Sequence, residues 1–248
     1  MNLILLERSE IDAGRRAVLA DRRAKHLIEV LQVAPGKSVR VGILDGALGD
    51  GRVARVDEGT VELSCSFEAA PPPVPALDLL LALPRPKVMK RLWAQLAALG
   101  VGRVILTNAE RVERNYFDTH VLEESFYRPL LIEGLQQVRD TRVPRVSVHK
   151  QFRKLVEDEL TGLSDASVRL VAHPGGASAS GGAVAGRVLL AVGPEGGWNA
   201  FELGLLETRG FARVGMGRRT LRTDTACIAL IALVQEALGA NPRDARMS

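Results

Sequence analysis

The chain has 248 residues, 46% of them hydrophobic and 25% charged, a composition typical of a soluble globular protein with one large domain or two ordinary ones. No apolar run is long enough to span a bilayer, and the first residues lack the basic start and cleavage site of a signal peptide, so we expect a cytoplasmic protein with no membrane partner. The formal net charge is +4, a modest excess that leaves both nucleic-acid binding and ordinary solvated surface charge open.

Residues 1–70 show short alternating apolar patterns that predict a small β-rich domain. The spacing of Leu27, Val30 and Leu31 predicts one helix over 24–31. Strands are expected over 39–44, 52–56 and 60–65. Short strands with a single helix in a segment of this length favour a compact barrel.

A proline-rich segment at 71–76 separates this part from the rest of the chain. Four prolines within residues 70–76 cannot continue a helix or a central strand, which predicts a stiff linker. We therefore expect a first domain at 1–70 and a second at 77–248.

After the linker, strand-like and helix-like segments alternate, which predicts an α/β domain. The strands read as nearly continuous apolar runs, as in a parallel sheet covered on both faces. Strands are expected over 77–83, 103–107, 143–148, 168–172, 188–192 and 211–215. Helices are expected over 87–99, 122–138, 202–208 and 225–238.

Three details of this second domain lead to further expectations. Pro129 should bend or break the helix at 122–138. The helix at 225–238 is apolar on almost every side, so it should be buried in the core or at a subunit interface. The Gly/Ala/Ser-rich stretch at 174–186 is interpreted as a flexible surface loop.

Segments at 172–174, 193–197 and 215–225 each follow a predicted strand and are rich in glycine, proline or small polar residues. Ligands of open α/β sheets bind beyond the carboxyl ends of the strands. None of the three matches a dinucleotide-binding or phosphate-loop motif. Backbone groups brought close by glycine can nevertheless hold a nucleotide there.

The cysteines and histidines do not predict a metal site. Cys65 and Cys227 lie far apart in the chain, and the four histidines are scattered. Neither a disulfide framework nor a metal-ligand spacing is present in this pattern.

Two motifs in the second half of the chain are highly specific in combination. Gly-Pro-Glu-Gly-Gly at 193–197, followed by Leu-Arg-Thr-Asp-Thr-Ala at 221–226, resembles the SPOUT methyltransferases. More narrowly, it resembles the RsmE family, enzymes that methylate N3 of a uridine in small-subunit (16S) ribosomal RNA. Shorter matches at 25–27, 81–84 and 136–139 extend the resemblance over the whole chain.

The resemblance implies a C-terminal domain with a deep trefoil knot, preceded by a PUA-like β-barrel. It also implies S-adenosylmethionine as cofactor, a homodimer, and a 193–197 segment whose glycines let the backbone approach the cofactor. Gln32, Ala98 and Asp224 depart from the arginine, glutamate and glutamate that are usual in the family. The implied cofactor-binding residues are Leu83, His173, Pro174, Gly193, Pro194, Glu195, Gly196, Gly197, Gly215, Met216, Gly217, Leu221, Thr223, Thr225 and Ala226.

Methylation at uridine N3 requires loss of the N3 proton and stabilisation of the resulting anion. Arg222 is the candidate for stabilising O2 or O4 of that anion, or a neighbouring phosphate. Glu195 or Asp224 is the candidate for assisting proton removal. Each carboxylate has a structural alternative, because Glu195 could cap the following helix and Asp224 the last one. No metal is expected, since a sulfonium supplies the leaving group.

The basic residues of the first domain are the expected RNA-binding surface. The target base must be unpaired or flipped, and the RNA around it is held through its phosphates. These residues are Arg15, Arg16, Arg22, Arg23, Lys25 and His26, although His26 could simply pack beneath the surface. Two alternatives remain open: a related SPOUT enzyme that methylates the ribose 2′-OH, and a non-catalytic ribosomal-RNA-binding protein of the same fold.

Overall fold

The computed structural model describes residues 3–178, 184–217, 219 and 221–239. Part of the predicted loop at 174–186, and Arg218 and Thr220 of the predicted segment 215–225, lie outside these residues. The chain divides into two compact units, Met1–Val74 with Ile132–Val143, and Pro75–Leu131 with Pro144–Ser248. No helix of the described ranges is long and apolar enough to cross a membrane.

The first unit contains a curled five-stranded sheet and one complete α-helix, joined by the last turns of a second α-helix at 132–138, and its sheet is that of the predicted PUA-like barrel domain. Its strands are β1 (Ile4–Leu6), β2 (Arg16–Leu19), β3 (Ser38–Ile43), β4 (Leu48–Asp57) and β5 (Thr60–Phe67), in the order β1-β3-β4-β5-β2. β1 pairs in parallel with β3, and the other neighbours are antiparallel. β1 and β2 were not predicted, because three or four residues carry too little alternation to be recognised.

Helix α1 (Arg22–Glu29) begins two residues before the predicted start. The side chain of Asp21 caps it by accepting a hydrogen bond from the Arg23 backbone N–H at 2.8 Å. Leu27 of this helix is fully buried and packs with Val53 and Leu63 of the sheet in one hydrophobic core. The apolar face found in the sequence is therefore the face that attaches the helix to the barrel.

The second unit is built on a six-stranded sheet whose neighbouring strands are all parallel. Its strands are β6 (Leu77–Ala82), β7 (Val101–Thr107), β8 (Arg145–His149), β9 (Val168–Ser178), β10 (Val188–Val192) and β11 (Phe211–Gly215), in the order β11-β9-β10-β6-β7-β8. Every residue of β6 and β10 is buried, as expected for central strands of a covered parallel sheet. The predicted α/β class is confirmed.

The longer helices follow the predicted positions closely. They are α2 (Pro86–Ala98), α3 (Glu124–Val138), α6 (Ala200–Thr208) and α7 (Thr223–Gly239). Two short helices, α4 (Phe152–Lys154) and α5 (Leu160–Leu163), lie between α3 and α6, and short 3-10 helices are found at Arg8–Glu10, Arg114–Asp118 and His120–Leu122. A π-helical turn, Leu155–Glu159, joins α4 to α5. The helical segment 152–163 was not predicted, although its buried residues Phe152, Leu155 and Val156 carry the helical spacing.

Strand β9 continues six residues beyond the predicted end and enters the stretch that was interpreted as a loop. β11 pairs with this extension, with Val214 opposite Ala177. Gly176 explains the difference, because a Cβ there would lie 2.4 Å from the backbone carbon of Val214. A glycine-rich sequence is needed at this place for two backbones to come close, and not for flexibility.

Helix α3 runs through Pro129 without interruption, so a break is wrong, and a bend at this residue stays a prediction. Proline removes one backbone hydrogen bond but leaves its neighbours free to pack. The Tyr127 ring lies 4.8 Å from that of Trp93, between centroids, and this contact holds the first turns of the helix on α2.

Helix α7 is buried along one side only within the single chain. Cys227, Leu230 and Ile231 are buried, whereas Ala232 and Glu236 are exposed. The core therefore covers part of the apolar surface that the sequence showed, and the remainder faces outward.

Candidate active site

A cleft of about 660 Å³, open to solvent, lies where β10 and β11 lead into the segments 193–197 and 215–225, beside the segment 172–174, which lies within β9. The described residues that line it are Ala172, His173, Pro174, Val192, Gly193, Pro194, Glu195, Gly197, Val214, Gly215, Met216, Gly217, Arg219, Leu221, Thr223, Ala226 and Leu230. Its lining is mostly apolar with a few polar groups, which is typical of small-molecule sites.

Most of the predicted cofactor-binding residues line this cleft, and Leu83, Gly196 and Thr225 are the exceptions. Leu83 is buried at the end of β6, where its N–H donates to the Thr107 carbonyl at 2.9 Å. Thr225 is exposed on the first turn of α7. The sequence motifs therefore indicated the right segments but not which of their side chains turn toward the cleft.

Some lining residues were not predicted. Val192 and Val214 lie at or near the ends of β10 and β11, immediately before the segments that were recognised. Ala172 and Arg219 lie within recognised segments but were not among the predicted residues. Leu230 is one helical turn after Ala226 and shares its face of α7. These positions could have been found by extending each motif one residue back into its strand and one turn forward along its helix.

The 193–197 segment is held by contacts within the protein. A Cβ at Gly193 would lie 3.1 to 3.2 Å from atoms of Trp198, and one at Gly196 would lie 2.7 Å from Cδ of Arg111. Gly197 has a φ of +73° and its N–H donates to the Pro194 carbonyl at 2.8 Å. Glycine is therefore required at Gly193 and Gly196 by the packing of Trp198 and Arg111, and the expectation that these glycines also admit the cofactor stays a prediction.

Two long-range polar contacts fasten this segment to the residues after β7. The Arg111 guanidinium donates a short hydrogen bond to the Gly196 carbonyl. The Glu202 carboxylate, 3% exposed, accepts from the Glu110 N–H at 2.7 Å and from the Asn199 N–H at 2.8 Å. Arg111 thus holds the segment itself, and Glu202 ties the start of the helix that follows it to the same residues after β7.

Helix α6 is capped by Asn199 and not by Glu195. The Asn199 side chain accepts from the Glu202 N–H at 2.8 Å, and the reciprocal bond from Glu202 completes a capping box. The structural alternative for Glu195 is therefore wrong. The Glu195 side chain is exposed and makes no hydrogen bond or ion pair with the part of the chain that the structure describes.

A second pocket, of about 520 Å³, adjoins the cleft. Its lining residues are Arg85, Val88, Glu195, Arg222, Thr223 and Asp224. Glu195 and Thr223 line both spaces, so a group in this pocket would lie beside a ligand in the cleft. All three predicted catalytic residues meet at this pocket.

Asp224 is held as a carboxylate. Arg91 of α2 donates to it at 2.7 Å, and this hydrogen bond lowers the pKa of Asp224 below its usual value of 3.8. The Arg222 Nε lies 3.8 Å away, and the Thr225 N–H donates to Asp224 at 3.0 Å. A carboxylate stabilised in this way is a weak base, which leaves Glu195 as the better candidate for proton removal.

The predicted RNA-binding residues of the first unit differ sharply in their surroundings. The Arg23 side chain is only 15% exposed and is bonded to Glu10, to Asp21 and to the Leu5 carbonyl, which raises its pKa. The predicted RNA contact for Arg23 therefore needs correction, because its guanidinium is occupied within the unit. For His26, the alternative that it packs beneath the surface is favoured, since its Nε2 is buried without a hydrogen-bond partner in the described residues.

The other basic residues of this set remain accessible. Arg15, Arg22 and Lys25 are exposed, and Lys25 makes only a long contact of 3.9 Å with Glu29. Arg16 is exposed but paired with Asp12 at 3.1 Å. Isolated surface pairs of this kind are weak enough for a phosphate to compete.

The described residues contain no group of three or more His, Cys, Asp or Glu side chains that could hold a metal ion. Cys65 and Cys227 are free and buried. Burial raises the pKa of Cys227 to about 12, so its thiol stays protonated at neutral pH.

Comparison with known proteins relates residues 70–235 to a family described as the RNA methyltransferase domain. The ribosomal RNA small subunit methyltransferase E of Treponema pallidum is 32% identical over 241 residues, covering 94% of this chain and 90% of that protein. The ribosomal RNA small subunit methyltransferase E 1 of Borreliella burgdorferi is 25% identical over 229 residues, covering 92% and 95%.

Two solved structures have the same fold over almost the full length. One is the ribosomal RNA small subunit methyltransferase E of Neisseria gonorrhoeae bound to S-adenosyl methionine, with a TM-score of 0.74 and 22% identity over 95% of this chain and 97% of that one. The other is a probable rRNA-methyltransferase of Porphyromonas gingivalis, with a TM-score of 0.76 and 22% identity over 95% and 98%.

Proposed function

Because this chain belongs to the RNA methyltransferase family, in its small-subunit methyltransferase E branch, we propose that it methylates N3 of a uridine in 16S ribosomal RNA with S-adenosylmethionine as cofactor. One observation carries the proposal. The cleft formed by the two family motifs opens beside a pocket that contains Glu195 and Arg222. A base and a cation are the two groups that reaction at an acidic ring nitrogen requires.

The cleft, hereafter the cofactor cleft, suits S-adenosylmethionine. Val192, Val214 and Leu230 provide apolar walls, and the backbone of 193–197 and 215–217 provides polar groups. Gly217 has a φ of +71°, and a Cβ at this position would have no atom within 4 Å, which leaves space for a ligand against the backbone. When bound, the cofactor supplies an electrophilic methyl group on a sulfonium. The residues that would hold it are those that line the cleft.

The protein's own part in the reaction concerns the uridine. Glu195, exposed between the cleft and the pocket, accepts the N3 proton. The Arg222 guanidinium stabilises the charge that develops on O2 or O4. The charge of Asp224 is neutralised by Arg91, and Asp224 also pairs with Arg222 and so orients its guanidinium. Positioning and charge stabilisation then provide most of the rate acceleration.

Mass spectrometry of nucleosides from small-subunit RNA tests the proposal. A deletion strain should lack one N3-methyluridine, and the purified protein with S-adenosylmethionine should restore it. Loss of a 2′-O-methylated nucleoside instead would favour the ribose-methylating alternative. An unchanged set of methylated nucleosides would favour a non-catalytic RNA-binding protein.

We further propose a homodimer, supported by the outward-facing apolar side of α7. Ile228 and Leu233 are half-buried and Ala232 is exposed in the single chain. Light scattering at micromolar concentration should give twice 26.8 kDa. A monomer mass for an active preparation would contradict this part of the proposal.

The remaining implications of the family are part of the same proposal. They are a trefoil knot around the cofactor cleft, a cytoplasmic location beside the ribosomal RNA, and a domain division at the 71–76 linker. The knot rests on the family resemblance, and the strand order places 193–197 and 215–217, which would form it, at one cleft. Limited proteolysis that cuts within 71–76 and leaves both parts intact would support the division.

A further inference from the structure

Arg85 lines the pocket beside the cofactor cleft but has no part in the function proposed above. Two residues of the pocket, Glu195 and Thr223, also line the cleft, and Arg222 and Asp224 are the chain neighbours of Thr223, whereas Arg85 and Val88 come from the start of α2. The pocket therefore has one end next to the cleft and one wall away from it. Arg85 belongs to the distant wall.

The charges around the pocket favour an anion at that wall. Asp224 is neutralised by Arg91, which does not line the pocket, through a contact of 2.7 Å. Glu195 then faces two guanidinium groups, those of Arg85 and Arg222. Within the described ranges, Arg85 has no carboxylate at ion-pair distance, so its charge is available to a ligand.

The position of Arg85 is fixed by its neighbours. It is the N-cap residue of α2, with φ −49° and ψ 141°, and the following Pro86 favours this extended backbone. Its carbonyl accepts from the Val88 N–H at 2.8 Å. Its guanidinium lies beside the hydroxyl of Tyr116, which donates to Glu113 at 2.9 Å. A neutral phenol thus orients the guanidinium without cancelling its charge.

We propose that Arg85 binds the backbone phosphate of the target nucleotide, while the base of that nucleotide lies at the end of the pocket next to the cofactor cleft, beside Arg222. This inference rests on the proposed function, since it takes an RNA nucleotide as substrate. An extruded nucleotide has its base and its phosphate at opposite ends. The base must reach the methyl group in the cleft, so the phosphate reaches the distant wall, where a guanidinium fork matches its oxygens.

The test compares Arg85→Ala and Arg85→Lys with Arg209→Ala, which removes an exposed arginine of the same unit that lines neither pocket. Direct binding of small-subunit RNA should weaken about tenfold in Arg85→Ala, the scale of one hydrogen bond to a charged group. The slope of log affinity against log salt should become shallower by roughly 0.7 to 0.9. Arg85→Lys should keep the slope but recover only part of the affinity.

Calorimetry with S-adenosylmethionine separates RNA contact from general damage, and its Kd should stay within about twofold in all variants, as for a residue outside the cleft. An unchanged salt slope in Arg85→Ala would overturn the inference, and so would loss of cofactor binding, which would make Arg85 a support of the cleft. Failure of the proposed function is a different result. There, the wild-type protein would transfer no methyl group to uridine, while RNA binding would still report on Arg85.

Discussion

The two sides of the cofactor cleft are built in different ways. Residues 193–197 form one wall, which Arg111 and Glu202 fasten to the residues after β7. The described residues of 215–223, which are 215–217, 219 and 221–223, form the other, where the Arg222 side chain is 75% exposed and Leu221 is 36% exposed. The first wall is held in shape by contacts within the protein, although its Glu195 side chain is exposed. The second wall presents the Arg222 side chain outward, so the chemistry with the RNA is expected at Glu195 and Arg222, where the two walls meet.

Among substitutions in the two walls, Arg222→Ala should have the largest effect on activity. Turnover should fall about a hundredfold or more, the scale of one preorganised donor at a developing anion, while cofactor affinity is retained. Arg222→Lys should rescue only in part, because a point charge cannot bridge two oxygens. Single-turnover kinetics measures the step. If only RNA affinity changes, the anion must be stabilised by backbone donors of the 215–223 wall instead.

On the 193–197 wall, Glu202→Ala should reduce stability and not chemistry directly. The backbone N–H groups of Glu110 and Asn199 would lose their buried acceptor, at a cost of roughly 2–3 kcal/mol. Urea unfolding measures this, with the exposed Glu236→Ala as the matched control. Equal unfolding midpoints for the two variants would show that Glu202 does not hold this wall.

Arg22 and Arg23 of the first unit show the same contrast, because the Arg23 guanidinium is bonded within the protein whereas Arg22 is exposed. Arg23→Ala should lower the free energy of unfolding by roughly 2 kcal/mol, because Glu10 loses its partner in a partly buried network. Arg22→Ala should leave stability within about 0.5 kcal/mol of wild type. It should instead make the salt dependence of RNA binding shallower by roughly 0.7 to 0.9. If Arg22→Ala reduced stability and Arg23→Ala made the salt dependence shallower, Arg22 would be the structural residue and Arg23 the RNA contact.

A smaller effect is expected from Arg111→Ala. Without its hydrogen bond to the Gly196 carbonyl, the 193–197 wall should bind S-adenosylmethionine about tenfold more weakly. Gly196→Ala should act in the same direction, since its Cβ would lie 2.7 Å from Arg111 Cδ. Calorimetry measures both, with the exposed Arg114→Ala as control. Wild-type affinity in both variants would mean that the wall does not need this bond.

The smallest effect concerns the ion pair at the base of the 215–223 wall. Because the pKa of Asp224 is lowered in the folded protein, its contribution is present above its usual value of 3.8 and is lost as pH falls below it. The contribution should be at most about 1 kcal/mol, as for partly exposed pairs. Asp224→Asn should therefore lose less stability than wild type between pH 7 and pH 3. Identical losses in urea unfolding would show that Arg91 does not stabilise the carboxylate.

The sequence alone predicted the fold class, the family and the position of many elements of this protein. Strands 188–192 and 211–215 have the predicted bounds, and the α/β class and family membership are confirmed. Described residues of the predicted segments 193–197 and 215–225 line one cleft. These successes share a cause, because apolar periodicity and short motifs depend on residues that are close in the chain.

Only the tertiary structure decided which polar groups are free. Glu110 and Glu202 are 92 positions apart, and Arg111 and Gly196 are 85 apart, so no local pattern could have shown that these contacts fix the 193–197 wall. Arg23 looks like Arg22 in the sequence, yet its guanidinium is occupied by Glu10. A charged side chain is available to a ligand only if the fold brings no partner to it, and that depends on residues far away in the chain.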